Sequence, residues 1–143
     1  MKSVLLRSLP YPEPERLVAV SILRPPGEGS PGGKAFLDGS GLDVWRARTH
    51  AFLGLAAYRA QLFTVSGDPA AERVSGLAVS ASLFSVLGVS PALGRPLLEE
   101  EQQPNAAPVV VLSYGFWQRR FGGDPGILGK TVRVDGTPST VVG

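Results

Sequence analysis

Residues 17–23 (LVAVSIL) form an apolar, β-leaning run between the proline-rich PYPEPER and the pair Pro25 and Pro26. That pattern predicts a buried strand bounded by breakers. Residues 27–41 hold six glycines and predict a long flexible loop. A short helix follows over residues 42–48: Ser40 is placed to cap it, Asp43 lies near its positive end, and Arg46 and Arg48 fall in its last turn. Leu42 and Trp45 share its buried face. Residues 55–65 and 73–79 favour strand, and the Ser66-Gly67-Asp68-Pro69 cluster between them predicts a hairpin.

In the second half, Ser80 or Ser82 is positioned to cap a helix carrying Leu83, Phe84, Val86 and Leu87, with Gly88 at its left-handed end and Pro91 barring continuation. Residues 109–113 (VVVLS) have the β-branched look of a central strand. They lead into YGFWQRRF, where Trp117 and Phe121 share a helix face, Arg119 and Arg120 sit near the negative end, and Gly122 stops the helix. Residues 131–134 and 140–142 flank Asp135-Gly136, a strong hairpin signal. The order is βαββαβ followed by αββ, which predicts an α+β fold: a mixed sheet with short helices packed on one face. Strands 109–112, 131–134 and 140–142 are expected to be its most apolar. Val141 and Val142 then lie on an exposed final edge, unless the glycine-rich loop covers it, and that edge is expected to drive self-association.

Composition narrows the class. The 143 residues hold 43% hydrophobic and 18% charged side chains, enough apolar material for one core and too little charge for a disordered chain. With 18 glycines and 13 prolines, many short elements separated by turns are expected, and long coiled coils are excluded. The net charge of +2 leaves no surface basic enough to make nucleic acid the primary partner. The absence of cysteine removes disulfides, thiolate metal sites and thiol nucleophiles. No stretch is apolar for long enough to span a bilayer.

Each candidate for chemistry has a simpler reading. Gly27, Gly29 and Gly32 satisfy G-x-G-x-x-G after a predicted strand, but Pro31 interrupts the motif and no helix opens at Gly32 to receive a pyrophosphate. Gly129-Lys130-Thr131 looks like the end of a phosphate-binding loop, yet a strand follows it and Asp124 replaces the leading glycine. Ser113 ends a strand before a helix, as a hydrolase nucleophile does, and His50 is the one histidine available as its base. Val111 stands where that motif needs glycine, so an N-cap role is the simpler one. Glu99, Glu100 and Glu101 could ligate a hard cation, but a solvated acidic loop fits them as well. The aromatic residues Trp45, Phe84, Trp117 and Phe121 read as core. No catalytic, cofactor-binding or metal residue is assigned.

Four blocks, LLRSLPYPEPERLV, LDVWRARTHAFLGLAAYR, ERVSGLAVSASLFSVLGVSPALGRPL and VVVLSYGFWQRRFGGDPGILGKTVRVDGTPSTVVG, resemble in order and spacing the MacB-like periplasmic core domain of ABC-transporter permeases. The likeness is strongest to the large acidobacterial-type permeases without a fused ATPase. It implies a noncatalytic, extracytoplasmic domain with a porter-like, ferredoxin-like subdomain, at the periplasmic face of the inner membrane. Residues 1–10 would be the juxtamembrane remnant after a missing transmembrane helix, and residues 11–143 the N-terminal, incomplete part of the core domain. The resemblance implies as partners the remainder of the permease, a second permease copy and a cytoplasmic ATPase subunit, with a periplasmic adaptor as a further candidate. The implied role is relay of conformational change and docking during macrolide- or peptide-type efflux or lipoprotein release, with no cofactor and no nucleic acid. The alternatives from the residues alone are a small serine hydrolase built on Ser113 and His50, and a soluble ligand-binding domain.

Overall fold

The computed structural model describes residues 10–20, 22–24, 33–35, 39–67 and 70–143, with the backbone alone at 22–24, 33–35 and 39–40. The fold is α+β, and its centre is a five-stranded mixed sheet. In chain order the elements are β1 (Ile22–Arg24), β2 (Gly33–Ala35), α1 (Gly39–Arg48), β3 (Tyr58–Ser66), β4 (Glu72–Val79), α2 (Leu83–Leu87), β5 (Val109–Val110), α3 (Tyr114–Phe121), β6 (Thr131–Val134) and β7 (Thr137–Val141). The main sheet runs β4-β3-β6-β7-β5, and β1 pairs with β2 in a separate two-stranded sheet. All pairings are antiparallel except β5 with β7, which is parallel and requires the α3 crossover between them.

The core lies where α3 covers the β7 end of the sheet. Ile127, Val132 and Val141 are its buried centre, with Val110, Leu112, Trp117, Phe121, Leu128 and Val134 packed around them. Local chemistry fixes α3 at both ends. The Ser113 hydroxyl accepts from the Phe116 N–H at 3.3 Å, and Gly122 closes the helix in the left-handed region at φ 62°. The Trp117 indole N–H donates to the Asp124 carbonyl at 2.9 Å, tying the helix to the short turn that carries Ile127. The β6–β7 hairpin turns at Asp135 (φ 49°) and Gly136 (φ 80°), the paired left-handed conformation that an Asp-Gly turn supplies. Asp135 also accepts from the Thr64 N–H at 2.7 Å through Oδ1, joining this turn to β3. Asp135→Ala loses that acceptor and keeps an unfavourable positive φ. It is expected to lower stability by about 1–2 kcal/mol in urea unfolding.

Several sequence expectations need correction. Residues 17–20 are not a buried strand. They pair with no described strand, and Val18 and Val20 are 71% and 52% exposed; pairing begins at Ile22 and only with β2. The loop expected at 27–41 contains β2, and α1 starts at Gly39, which puts Ser40 inside the first turn and not ahead of it. Residues 109–113 are not a central strand: β5 has two residues and lies at the edge of the sheet, since the chain leaves the sheet to cap α3. The exposed C-terminal edge is overturned as well. β7 lies between β6 and β5, and Val141 is 0% exposed. The Val142 N–H donates to the Val110 carbonyl at 3.0 Å, and its own carbonyl accepts from the Arg95 N–H at 2.8 Å. Parallel pairing with a strand some thirty residues earlier supplies the cover, so self-association through Val141 and Val142 has no edge to use.

Candidate interaction surface

The β3–β4 hairpin reaches well beyond the rest of the sheet. β3 pairs with β4 from Tyr58↔Val79 to Val65↔Glu72, but with β6 only at Val65 and Ser66. Most of the hairpin is therefore a two-stranded ribbon. Its base is held by Glu72, whose carboxylate meets Arg119 at 2.5 Å and Arg120 at 3.4 Å on α3. The Arg120 side chain is 3% exposed, also donates to the Ala70 carbonyl at 3.1 Å, and lies over the Phe121 ring. A buried guanidinium held by a carboxylate and a carbonyl fixes geometry more than it adds stability.

The far end of the ribbon is tied by a polar network. Ser80 closes the ladder, its N–H donating to the Ala57 carbonyl and its hydroxyl accepting from the Ala57 N–H, both at 2.9 Å. The Ser82 hydroxyl donates to the Leu55 carbonyl at 2.9 Å, and Arg46 reaches from α1 to that carbonyl at 3.0 Å and to Ser82 Oγ at 2.6 Å. The Ala81 N–H donates to Gln102 Oε1 at 3.0 Å. The two serines expected to cap α2 thus serve the segment before β3: Ser82 occupies the N-cap position without making the cap bond, while Gly88 ends α2 left-handed as expected.

Between residues 12–20, α1, the 51–60 segment and α2 lies an open, mainly apolar groove of about 1020 Å³, lined by Leu17, Val20, Trp45, Phe52, Tyr58 and Val86 among others. Its rim carries the exposed ion pair of Arg16 and Glu13 at 2.9 Å. Tyr58 and Ala60 belong both to this groove and to the outer face of the ribbon, where Tyr58, Leu62 and Leu77 are 58%, 56% and 52% exposed.

The residues singled out for chemistry do not assemble. Ser113 spends its hydroxyl on the cap of α3, His50 is exposed beyond α1, and no hydrogen bond joins them. Gly129 and Lys130 form the turn before β6, their N–H groups donating to Val141 and Ile127 carbonyls at 2.8 and 3.0 Å, so the turn offers no phosphate cradle. Gly27, Gly29 and Gly32 lie outside the described residues. Among the described residues no group of three or more His, Cys, Asp or Glu could hold a metal. In the acidic run, Glu99 accepts from Gln102 at 2.7 Å, and Glu101 accepts from both Arg95 nitrogens at 2.6 and 3.2 Å and from the Leu98 N–H at 2.8 Å.

The Arg95 hydrogen bond is the main cause holding the Glu101 carboxyl below its ordinary value of 4.5; slight burial opposes it and the Leu98 N–H assists. A depressed folded-state pKa contributes stability that is present above the unfolded value and lost as pH falls through the folded one. Glu101→Gln is therefore expected to be less stable than the parent at pH 7. The difference should shrink below pH ~4.5 and vanish in stronger acid, as urea midpoints across that range would show.

The sequence pattern missed the interaction surface. Period-two alternation marks Tyr58, Leu62 and Leu77 as one face of a hairpin, and the same alternation is written whether that face meets a core or solvent. The Arg46–Ser82–Leu55 network joins positions 27 or more residues apart from Ser82 to the segment before β3, with no local signal to reveal it.

Comparison with known proteins assigns the arrangement. The periplasmic region of MacB from Actinobacillus actinomycetemcomitans is similar in fold, with a TM-score of 0.61 at 19% identity over 71% of this chain and 47% of that one. The fold is that of a MacB periplasmic region, and the chain spans about half the length of the structure it matches. A family model described as MacB-like periplasmic core domain matches residues 6–143. The chain belongs to that family, whose members are periplasmic domains of ABC-transporter permeases. No curated protein matches it. No helix among the described residues is long and apolar enough to cross a membrane.

Proposed function

We propose that this domain works at the periplasmic face of the inner membrane as the noncatalytic part of an ABC-transporter permease, relaying conformational change and docking partners during efflux or lipoprotein release. Membership of the MacB-like periplasmic core domain family over residues 6–143 carries the reading. The architecture supports it. A two-stranded ribbon connects the α3-covered core to the α1–α2 end, tied by the Glu72 clasp at one end and the Arg46 network at the other. Its partners on this reading are the remainder of the permease, a second permease copy, a cytoplasmic ATPase subunit and a periplasmic adaptor.

Two measurements on the full-length permease test it. Leu53, 93% exposed, provides a labelling position in a segment without cysteine, in a permease whose other cysteines, where present, are replaced. Leu53→Cys should react with a membrane-impermeant maleimide from the periplasmic side; reaction only after the inner membrane is opened overturns the location. Glu72→Gln removes the charged clasp on the ribbon. In proteoliposomes with the ATPase subunit it should leave basal ATP hydrolysis unchanged while lowering transport per ATP several-fold. An unchanged transport ratio overturns the relay.

A further inference from the structure

We propose that the junction of the β3–β4 ribbon with the core is a latched hinge, held shut by the Asp135–Thr64 contact and the Glu72 clasp, about which the ribbon swings when both let go. The joint is built where β6 runs out. β6 turns back at Asp135-Gly136, so the turn itself ends its pairing with β3 at Val65↔Val134 and Ser66↔Arg133. One more contact follows. The Asp135 N–H donates to the Thr64 carbonyl at 2.8 Å, as in a regular ladder, but the Thr64 N–H donates to Asp135 Oδ1 at 2.7 Å. A regular antiparallel pair would give that N–H the Asp135 carbonyl; here the chain has already entered the left-handed turn at φ 49°. A carboxylate on a rotatable side chain stands in for a main-chain acceptor, so the contact can open without disturbing the β6–β7 hairpin.

The second latch lies at the same cross-section of the ribbon. Glu72 is the ladder partner of Val65, the residue next to Thr64, and its carboxylate reaches Arg119 and Arg120 on α3. The two arginines differ. The Arg120 side chain is buried and also holds the Ala70 carbonyl at 3.1 Å, which ties the chain just ahead of β4 to α3. Arg119 is 61% exposed, and its guanidinium lies 5.5 Å from the centre of the Phe116 ring, a resting place on its own helix when Glu72 leaves. Arg120 therefore marks the pivot, and Arg119 is the hold that releases.

Beyond the joint the ribbon carries its own ladder. β3 and β4 pair at every position back to Tyr58↔Val79, and the Phe63 ring covers Gly76 so closely that a Cβ there would stand 2.8 Å from it, which couples the two strands. At the far end, the Ser80–Ala57 closure and the Arg46–Ser82–Leu55 bonds tie the ribbon to α1 and α2. A rotation at Thr64 and Glu72 is thus delivered as a displacement of the α1–α2 end, ~20 Å away along β3. The hinge says where the relay bends and rests on that reading for its use, but amide exchange in the 143-residue chain reads the joint alone.

Hydrogen exchange of the ¹⁵N-labelled chain tests the latch. Thr64 and Asp135 should show matched protection, roughly tenfold or more below that of Phe63 and Val65, whose N–H groups face β4, and of Val141 in the core. Glu72→Gln, and separately Asp135→Gly, which keeps the turn and removes the acceptor, should each lower protection several-fold at Ser66, the next β3 N–H facing β6, with Phe63 and Val141 unchanged. Protection at Thr64 and Asp135 equal to that at Val141 would overturn the proposal, because the joint would then open only with the whole fold. No response at Ser66 to either variant would overturn it as well, and where a variant fails to fold the parent's own pattern decides. In the full-length permease with its ATPase subunit and its other cysteines replaced, Thr64→Cys with Asp135→Cys places two thiols on a hydrogen-bonded pair, ~5.5 Å between Cα atoms and within disulfide reach. Oxidation should lower transport several-fold and dithiothreitol should restore it. Unchanged transport in the cross-linked form would overturn the hinge and leave the relay to its own test by Glu72→Gln.

Discussion

Val141→Asp is expected to remove most of the stability of the fold. Val141 is 0% exposed, sits between β6 and β5, and packs with Ile127 and Val132 under α3. Its backbone N–H donates to the Lys130 carbonyl at 2.9 Å and its carbonyl accepts from the Gly129 N–H at 2.8 Å, so the main chain cannot withdraw to let a carboxylate reach water. An unpaired charge at such a position costs about 4–5 kcal/mol, comparable to the total stability of many small domains. Val141→Ala separates the loss of packing from the burial of charge. Two missing methyl groups and the cavity they leave should cost about 2 kcal/mol. Tryptophan fluorescence in urea, with Trp117 reporting on the core, would show a shifted midpoint for the alanine variant and no cooperative folded baseline for the aspartate. A normal transition for Val141→Asp would mean that the β6–β7–β5 packing is wrong.

Gly94→Ala ranks second. Gly94 has φ 78°, and a Cβ built there would stand 2.2 Å from the Val142 carbonyl oxygen and 2.8 Å from the Gly143 Cα. That carbonyl accepts the Arg95 N–H, the contact that pins the segment after α2 against the end of β7. The variant combines a disfavoured backbone region with collision against main-chain atoms that cannot rotate away. About 3 kcal/mol is expected, read as a lower urea midpoint together with faster amide exchange at Arg95. Little change in either would show that residues 94–95 do not rest on β7.

Both positions bear on how much of the fold was legible. Asp135-Gly136 was readable because a two-residue turn between strands demands positive φ at both sites, a requirement local to those residues. The α3 ends were readable for the same reason: Ser113 and Gly122 satisfy backbone groups within five residues of themselves. Neither Val141 nor Gly94 carries such a signal. VVG at the chain's end reads as an edge strand until β5, about thirty residues earlier, is seen lying parallel beside it. The role of Gly94 depends on where Val142 arrives.

The sequence by itself determined the identity and order of most elements, the hairpins at residues 66–69 and 135–136, and, through its blocks of resemblance, the family. Helix caps, turn residues and apolar periodicity are short-range constraints, so they survive in one dimension. Tertiary structure alone decided that residues 18–20 are exposed, that β7 is interior, that the ribbon has an exposed apolar face with no described strand on the outer side of β4, and that Ser80 and Ser82 hold the segment before β3. Each of these depends on which distant strand, carbonyl or guanidinium arrives at a position. An alternating apolar strand bears the same pattern whether its neighbour is a core, an unfilled edge or another chain.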